Sequence, residues 1–365
     1  MKVAVITNTY PPRIGGLEQH IQHLALGLAQ LGHSVSVLTL SSHSGQHCDG
    51  AVPVLVGKSN FPIEDVVSFP APGTLNRITK WITTNQIDVI STHTRFFPMS
   101  YIGIRVGEKT DTPVIHTEHG AGYVQNNSMV IAAGSRLVDN TMGRYVLSHA
   151  SKVLAVSEES AQFAQRLGAQ SPSVFYNAID PIEPAPEIFR PQHFVFVGRL
   201  VEGKGWDTFL DLIAQLRSSG LNVDGEVLGD GPDMAKLQQS IDRLHLRHFI
   251  QVRGECSHSE VTAALRASTL IYPSTLSEGF GIVLLEAVSA GAGVVAYSTP
   301  GSVMLSAEGL PVVVTPQRTL SALYRATLEY LQSVPAAATK QQLQRWTWPT
   351  RIREYDQYLH AVVRS

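Results

Sequence analysis

The residues best placed to carry chemistry lie in one stretch of the C-terminal half, 277–286, with the sequence SEGFGIVLLE. The apolar segment 269–272 precedes it and ends at Pro273, as expected of a short buried strand. A helical pattern follows over 282–290. The stretch therefore predicts a loop that connects a strand to a helix.

Two glycines and two carboxylates give this loop its chemical character. Gly279 and Gly281 have no side chain, so the backbone N–H groups there could approach a ligand closely. The following helix N-terminus offers unpaired donors and a partial positive charge, which suit phosphate or sugar hydroxyls. Glu278 precedes the glycines, and Glu286 lies in the first helical turn or just past it. A carboxylate there could accept two hydrogen bonds from a ribose diol; the alternative is a glycine-rich turn before an amphipathic helix, with Glu286 on a solvated face.

A pair of cations follows the predicted strand 193–197. Arg199 lies in a Gly-Arg-Leu sequence, and Lys204 lies between two glycines just before a helical pattern. Arginine can chelate a phosphate and lysine acts as a point charge, so the pair suits a diphosphate. Either cation alone is more typical of a solvated surface charge, but their joint placement at a strand end favours binding.

The stretch from Glu278 to Glu286 resembles the Glu-x7-Glu motif of retaining glycosyltransferases of family 4, which have the two-domain GT-B fold. Further motifs follow the family's order: Asn-Ala-Ile-Asp at 177–180, where the family has glycine instead of alanine, Gly-Arg-Leu and Lys-Gly within 198–205, and Gly-Asp-Gly-Pro at 229–232. The resemblance covers nearly the whole chain.

The resemblance implies an α/β protein of the GT-B class, with two Rossmann-like doubly wound domains that face a central cleft. We expect an N-terminal acceptor-side domain over 1–180 and a nucleotide-sugar domain over 193–345. The proline-rich segment 181–192 would be the linker. The last segment, 346–365, would be a helix that crosses back to the first domain.

The resemblance also assigns roles. Arg199 and Lys204 would neutralise the leaving diphosphate, Glu278 and the N–H groups of the glycine loop would hold the donor sugar, and Glu286 would take the ribose. His119 follows a predicted strand at the edge where α/β folds bind ligands, and it matches the histidine that the family holds near the transferring sugar. A core histidine is the alternative. The predicted catalytic residues are His119, Glu278, Arg199 and Lys204. The predicted nucleotide-sugar contacts are Gly16, Arg199, Lys204, Glu278, Gly279, Phe280, Gly281, Ile282, Val283 and Glu286.

The function implied is a metal-independent, hexosyl-type transfer from a nucleotide-diphosphate sugar to a glycan or lipid-linked sugar acceptor, in the assembly of bacterial-type glycans, glycolipids or polysaccharides. UDP, GDP and ADP all remain open as the nucleotide. Two alternatives are a catalytically silent nucleotide-sugar-binding subunit of the same fold and a nucleotide-sugar epimerase.

We expect no metal and no cofactor besides the donor substrate. The paired cations supply the charge that a metal would otherwise give, and the chain contains no Asp-x-Asp sequence. His116 and His119 point to opposite faces of a strand. His20 and His23 share a helical turn without a nearby carboxylate pattern, and we expect both on the surface.

Bulk composition fits a globular chain in a reducing compartment. The 365 residues carry a net charge of −2, which does not suggest a nucleic-acid binder, and only two cysteines. The apolar start is too short for a signal peptide, and no run of 18 apolar residues occurs, so a cytoplasmic protein is expected. The stretch 95–105 combines aromatic and basic residues, but its spacing predicts a helix packed on a sheet. We therefore expect at most transient peripheral contact with the cytoplasmic membrane face.

Overall fold

The computed structural model describes residues 1–13, 15–63, 67–123, 129–180, 190–266, 268–276 and 279–364. The chain divides into two compact units, one formed by Met1–Ala178 with Trp346–Ser365 and the other by Ile179–Arg345. Each unit is built on a mainly parallel sheet with helices between successive strands.

The described strands, in chain order, are β1 (Lys2–Ile6), β2 (Ser34–Ser41), β3 (Gly45–Asp49), β4 (Val52–Ile63), β5 (Val67–Pro70), β6 (Val89–His93), β7 (Val114–Glu118), β8 (Lys152–Ala155), β9 (Ser173–Val174), β10 (His193–Val197), β11 (Asp224–Leu228), β12 (Ile250–Gly254), β13 (Thr269–Tyr272), β14 (Gly293–Tyr297) and β15 (Val312–Thr315). The described α-helices are α1 (Gly16–Gln30), α2 (Thr74–Asn85), α3 (Pro98–Thr110), α4 (Met129–Val138), α5 (Arg144–His149), α6 (Glu158–Arg166), α7 (Trp206–Ser218), α8 (Met234–Arg243), α9 (His258–Leu265), α10 (Ile282–Ser289), α11 (Pro300–Ala307), α12 (Leu320–Gln332), α13 (Lys340–Gln344) and α14 (Trp348–Arg364).

The first sheet has the strand order β3-β4-β2-β1-β6-β7-β8-β9, with β5 paired to β4. Strand β1 has β2 on one side and β6 on the other, both parallel to it. The chain reverses its direction of winding there, and open α/β sheets bind ligands beyond the carboxyl ends of the strands at such a point. The loops after β1, β6 and β7 therefore lie at the edge where such sheets bind ligands.

Helices α1 and α14 cover one face of this sheet. Ile21, Leu24 and Leu28 share one face of α1 at helical spacing and are fully buried. Trp348 and Tyr355 of α14 belong to the same hydrophobic cluster. The final helix is thus part of the first unit's core.

The second sheet is wholly parallel, in the order β12-β11-β10-β13-β14-β15. This is the doubly wound order, with the change of direction between β10 and β13. Helix α7 packs on the sheet through Phe209, Leu210, Ile213 and Leu216, the inner face that its spacing predicts. The sheets and their helices confirm the predicted α/β class with two Rossmann-like domains.

The sequence of segment 46–71, which has only short apolar pieces, predicts a loop, but the structure differs. It contains β3, β4 and β5. Residues Val52 and Val54 are buried against the sheet, whereas β3 is largely exposed and is held by its antiparallel pairing with β4. Pairing to neighbours defines these strands, and composition alone does not reveal that.

The sequence pattern over about 128–149 predicts one long helix, but in the structure this helix is interrupted, and residue 128 lies outside the described part of the chain. Between α4 and α5, residues Asp139–Gly143 form a π-helical turn. Such turns insert one residue and redirect a side chain, often at functional sites. Here Asp139 is directed into the protein, where only 1% of it is exposed.

None of the described helices combines the length and apolar character needed to cross a bilayer. The helix predicted within 95–105 begins at Pro98, and Phe97, Met99 and Ile104 are buried in the protein. This stretch packs on the sheet, as its spacing predicted.

Candidate active site

Two loops at the switch point of the second sheet contain most of the predicted donor-binding residues. One follows β10 and carries Arg199 and Lys204; the other follows β13 and leads to α10. They are tied together because the N–H of Thr275 donates to the carbonyl of Gly203 at 2.8 Å. Arg318 braces the second loop by donating to the carbonyls of Thr275 (3.2 Å) and Ser298 (2.7 Å).

The position of Arg199 is set by the close packing of the backbone at 198–200 against the backbone at 228–230. The N–H of Gly198 donates to Leu228 at 3.0 Å, and the N–H of Leu200 donates to Asp230 at 2.9 Å. A side chain on Gly229 would place its Cβ only 1.9 Å from the carbonyl oxygen of Gly198. The Gly-x-Gly-Pro turn is therefore the support of the Gly-Arg-Leu loop, and it leaves Arg199 exposed to solvent.

Lys204 is held in a tight turn between two glycines. Gly203 and Gly205 have φ values of 83° and 88°, in the left-handed region that favours glycine. A Cβ on Gly205 would lie 2.5 Å from the carbonyl oxygen of Pro273, at the end of the neighbouring strand. Gly205 caps α7, so Lys204 lies directly before that helix N-terminus.

Glu286 is a nearly buried carboxylate in the second turn of α10. Its side chain is 13% exposed, and among the described residues its charged neighbour is His258, whose Nδ1 lies 3.7 Å from Oε1. Burial raises the pKa of Glu286, and His258 opposes that shift. In the described part of the chain no donor other than His258 contacts this carboxylate, so its oxygens can accept hydrogen bonds from a ligand.

The glycine loop before α10 is only partly described. Glu278 lies outside the described residues. Gly281 caps α10 with a φ of 81°, and a Cβ there would lie 2.7 Å from the hydroxyl of Tyr272. Phe280 is 2% exposed, so its backbone, not its ring, is the part available to a ligand. Ile282 and Val283 are half-buried at the first turn of α10, where helix N–H groups have no intrahelical partner.

In the first unit, His119 follows β7 at the same sheet edge as the end of β6. His93, the last residue of β6, places its Nδ1 3.3 Å from Nε2 of His119. The ring of His20, from α1, lies 4.7 Å from that of His119 between centroids and nearly perpendicular to it. His93 and His20 are 0% and 4% exposed. The prediction of a surface position for His20 was therefore wrong, because α1 turns this residue towards the sheet; His23 is half-buried, and its ring stacks on Trp348 with centroids 5.1 Å apart.

The three histidines are neutral at pH 7. Burial lowers the pKa of His20 to about 4, although the nearby Asn177 side chain opposes this. Burial, reinforced by the neighbouring rings, also holds the pKa values of His93 and His119 well below 6.5. His119 can thus offer a lone pair or a neutral N–H to a substrate, and not a full positive charge.

An ion-pair network fixes the loop that carries His119. Arg95 donates to Glu118 through its backbone N–H (3.1 Å) and Nη1 (2.8 Å), and to Asp139 through Nε (2.9 Å) and Nη2 (3.0 Å). Glu118 also accepts from the N–H of Gly120 at 2.6 Å. The two neighbours of His119 are therefore both fixed: Glu118 by Arg95, and Gly120 by Glu118. Burial alone would raise the pKa of Glu118, but Arg95, His116 and Gly120 together lower it to about 2. Arg95 and Glu118 are almost completely buried.

Sequence reasoning missed this network, although a signal was present. His93, Thr94 and Arg95 lie at the carboxyl end of β6, just as His119 lies at the carboxyl end of β7, and ligands bind at this edge of an α/β sheet. Thr94 has a φ of 65°, a strained value for a β-branched residue, which packing and the bond from its N–H to Thr117 maintain.

The loop after β1 ends at the start of α1. A Cβ on Gly15 would lie 2.2 Å from Oε2 of Glu18, so a larger residue there would displace this buried carboxylate, which accepts from Thr9 Oγ1 at 2.6 Å. Gly16, the first residue of α1, is exposed, and its N–H is one of the donors that a helix leaves unpaired.

Comparison with known proteins agrees with this geometry. The family model described as Glycosyltransferase Family 4 matches residues 14–183, and the one described as Glycosyl transferases group 1 matches residues 183–336. A crystal structure of Anabaena HepE in complex with UDP and glucose superposes with a TM-score of 0.75 over 99% of this chain and 100% of that one, at 18% identity. The chain belongs to the family 4-like glycosyltransferases of the GT-B fold.

Among curated relatives of this glycosyltransferase is the phosphatidylinositol N-acetylglucosaminyltransferase GPI3 subunit of Saccharomyces cerevisiae. It is 27% identical over 306 residues, which cover 79% of this chain and 66% of the yeast protein. A D-inositol 3-phosphate glycosyltransferase of Pseudarthrobacter chlorophenolicus is 24% identical over 79% of this chain and 75% of its own length. The chain thus spans just under two thirds of the yeast relative.

Proposed function

We infer that this glycosyltransferase moves a hexosyl group from a nucleotide-diphosphate sugar to a hydroxyl acceptor, with retention of anomeric configuration and without a metal. The observation that carries the proposal is the pairing of two loops at the switch point of the second sheet. One presents Arg199 and Lys204, and the other leads into the helix that bears the buried Glu286. A diphosphate and a ribose are the chemical groups that suit these side chains.

The proposed chemistry is electrostatic. As the bond between the sugar and the diphosphate breaks, negative charge develops on the leaving phosphate, and Arg199 and Lys204 stabilise it there. The carboxylate of Glu286 accepts hydrogen bonds from the ribose diol. Glu278 and the N–H groups at 279–281 hold the sugar hydroxyls, and Gly16 contributes an N–H to the phosphates. The neutral ring of His119 faces the transferring sugar.

UDP is the first nucleotide to test, because HepE was crystallised with UDP. Differential scanning fluorimetry with UDP, GDP and ADP ranks the three, since a ligand that binds the native state raises Tm by mass action. The names of the two curated relatives make phosphatidylinositol and inositol phosphate the first acceptors to offer, beside glycan acceptors.

Transfer itself is tested with purified protein, the preferred nucleotide sugar and the acceptor panel. NMR of the product gives the anomeric configuration: the same configuration as the donor supports retention, and the opposite one excludes it. Nucleotide binding with neither transfer nor donor hydrolysis would instead support a silent binding subunit. Conversion of the donor into an epimer without acceptor would favour the epimerase alternative.

A further inference from the structure

The histidine cluster at the switch point of the first sheet has a geometry that hydrogen bonding does not fully explain. Ring nitrogens of His20, His93 and His119 all lie within 4.8 Å of one another. Both nitrogens of His20 are buried and have no hydrogen-bond partner of normal geometry in the described part of the chain. A buried polar group without a partner costs about 1–3 kcal/mol, so a missing ligand is a natural explanation.

We propose that His20, His93 and His119 form a binding site for a divalent d-block cation, with Zn²⁺ as the fitting ion, and that its occupancy inhibits transfer. The ligand type selects the metal, because imidazole suits Zn²⁺, Cu²⁺ and Ni²⁺, whereas Mg²⁺ and Ca²⁺ prefer oxygen. Three histidines with one open position are an established zinc ligand set.

The spacing of the nitrogens fits such an ion. Zinc–nitrogen bonds of about 2.0–2.1 Å at tetrahedral angles put ligand nitrogens about 3.3 Å apart. Nδ1 of His93 and Nε2 of His119 are 3.3 Å apart. The longest separation in the cluster, up to 4.8 Å, closes with ring movements of about 1.5 Å.

One ligand also has the outer partner that metal-binding histidines commonly have. Nε2 of His93 lies 3.2 Å from Oγ of Ser91, which in turn lies 2.7 Å from the hydroxyl of Tyr355. A proton on Nε2 would be donated to Ser91 and would leave the lone pair of Nδ1 directed at the cluster. His119 is only partly buried and sits on a loop, so a cation can enter from that side.

Inhibition rests on the proposed function. Coordination would use the lone pair of Nε2 of His119 and hold its ring at the metal, away from the sugar. The binding half of the proposal does not depend on activity and is tested by itself.

Binding is tested with untagged protein that has been stripped with a chelator, desalted and titrated with Co²⁺. We expect the visible absorption of four-coordinate Co²⁺ to saturate at one equivalent and to be displaced by Zn²⁺. His20→Gln and His93→Gln should each weaken Co²⁺ binding at least about 10-fold. His23→Gln is the matched control from the same helix, and it should bind Co²⁺ as the wild type does.

Two results would overturn the binding site: no saturable band at one equivalent in the wild type, or a band that is unchanged in both His20→Gln and His93→Gln. Circular dichroism melts identify a variant that has failed to fold, and the second variant then decides.

Inhibition is tested in the transfer assay, with each variant compared with its own metal-free rate. Saturating Zn²⁺ should lower the wild-type rate at least about 10-fold, and EDTA should restore it. In His20→Gln the half-inhibitory Zn²⁺ concentration should rise by at least the factor found for Co²⁺ binding. Equal inhibition of wild type and His20→Gln would place the inhibiting ion elsewhere. Absence of transfer in every metal-free sample would contradict the proposed function, while the Co²⁺ titration would still decide the site.

Discussion

Glu286 carries its charge in a place that is unfavourable for stability. Burial raises the folded-state pKa of Glu286 above 4.5, so ionisation of this side chain is less favourable in the native state than in the unfolded state, and the charged form lowers the free energy of unfolding at neutral pH. A carboxylate retained at such a position suggests a binding role, since functional sites commonly trade stability for chemistry.

We therefore expect Glu286→Gln to have opposite effects on stability and binding. At pH 7 the free energy of unfolding should increase, whereas UDP affinity should fall about 10- to 100-fold, because hydrogen bonds to a charged group contribute about 1.5–3 kcal/mol. Urea denaturation and isothermal titration measure the two effects. The wild-type UDP affinity should also fall as the pH approaches the raised pKa, and this dependence should vanish in the variant.

The control for this prediction is Glu329→Gln, an exposed glutamate on α12 of the same unit. It should change neither quantity appreciably. Unchanged UDP affinity in Glu286→Gln would remove the ribose role.

Arg199 and Lys204 should act on the diphosphate and not on the nucleoside. We expect Arg199→Ala to weaken UDP binding about 10-fold or more and to leave uridine binding unchanged, because a charge-assisted contact to phosphate is lost.

EDTA should leave the transfer rate intact or raise it if bound zinc is removed. A rate abolished by EDTA and restored by Mg²⁺ or Mn²⁺ would show that a metal, not this cation pair, neutralises the diphosphate.

At the scale of elements, the Arg95 network connects β6, the loop after β7 and the π-helical turn. Removing one member of a buried ion pair leaves its partners unpaired, which costs about 3–5 kcal/mol. Arg95→Met should therefore lower the free energy of unfolding by about that amount. Arg105→Met is the control, because Arg105 is 39% exposed and pairs with Glu108 on the surface, where such pairs contribute at most about 1 kcal/mol. Equal losses in urea denaturation would contradict the prediction.

The same network predicts acid sensitivity. The pKa of Glu118 is lowered from 4.5 to about 2, so its stabilising contribution is complete above 4.5 and is lost as the pH falls towards 2. Protonation of Glu118 also weakens the contacts that hold the loop of His119. Acid lability and the orientation of that loop therefore have one physical origin.

The turn around Lys204 allows a comparison of two glycines with the same backbone conformation. Gly205 and Gly220 have φ values of 88° and 90°, but a Cβ would meet the carbonyl oxygen of Pro273 at 2.5 Å at Gly205 and nothing within 4 Å at Gly220. Alanine at either position should cost about 1–2 kcal/mol of stability from the left-handed conformation.

Only Gly205→Ala should also weaken UDP binding, because relief of the contact with Pro273 must shift one donor loop against the other. Isothermal titration with UDP and urea denaturation of both variants check this. Equal UDP affinities for Gly205→Ala and Gly220→Ala would show that the turn is not needed to place Lys204.

The elements that the sequence predicted well are those whose periodicity is strong. The buried face of α7 and the strand before Pro273 follow directly from apolar spacing. The strands β3 to β5 did not, because long-range pairing defines them. Helix α11 was also missed, since it is short and starts with Pro-Gly; its capping box between Thr299 and Ser302 shows in the hydrogen bonds.

At the scale of the molecule, the fold could be predicted because motifs in the right order reveal a doubly wound topology before any coordinate is known. The strand order of the second sheet places the loop of Arg199 beside the loop that follows β13. Both loops could be predicted from the sequence, but the contact between them could not. The histidine cluster could not be predicted in the same way. It requires the end of β6, the loop after β7 and the inner face of α1 to meet, and a pattern within one segment does not contain that information.

The basic and aromatic stretch 95–105 bears on how the whole protein meets a membrane. Its arginines are engaged within the protein: Arg95 is buried in ion pairs, and Arg105 pairs with Glu108. Phe97 and Ile104 are buried as well. A basic residue near an anionic surface contributes about 1 kcal/mol, so few such contacts remain to hold a chain whose net charge is −2.

We therefore expect only a minor fraction of the protein to sediment with anionic liposomes at physiological salt. Two vesicle preparations of equal surface charge, one with phosphatidylserine and one with phosphatidylinositol, separate charge attraction from recognition of a headgroup. Equal, weak binding to both fits a protein that meets a lipid acceptor transiently, and stronger binding to phosphatidylinositol alone would favour it as acceptor. Sedimentation of most of the protein with both would contradict the prediction, because so little free basic and apolar surface in 95–105 cannot account for stable attachment.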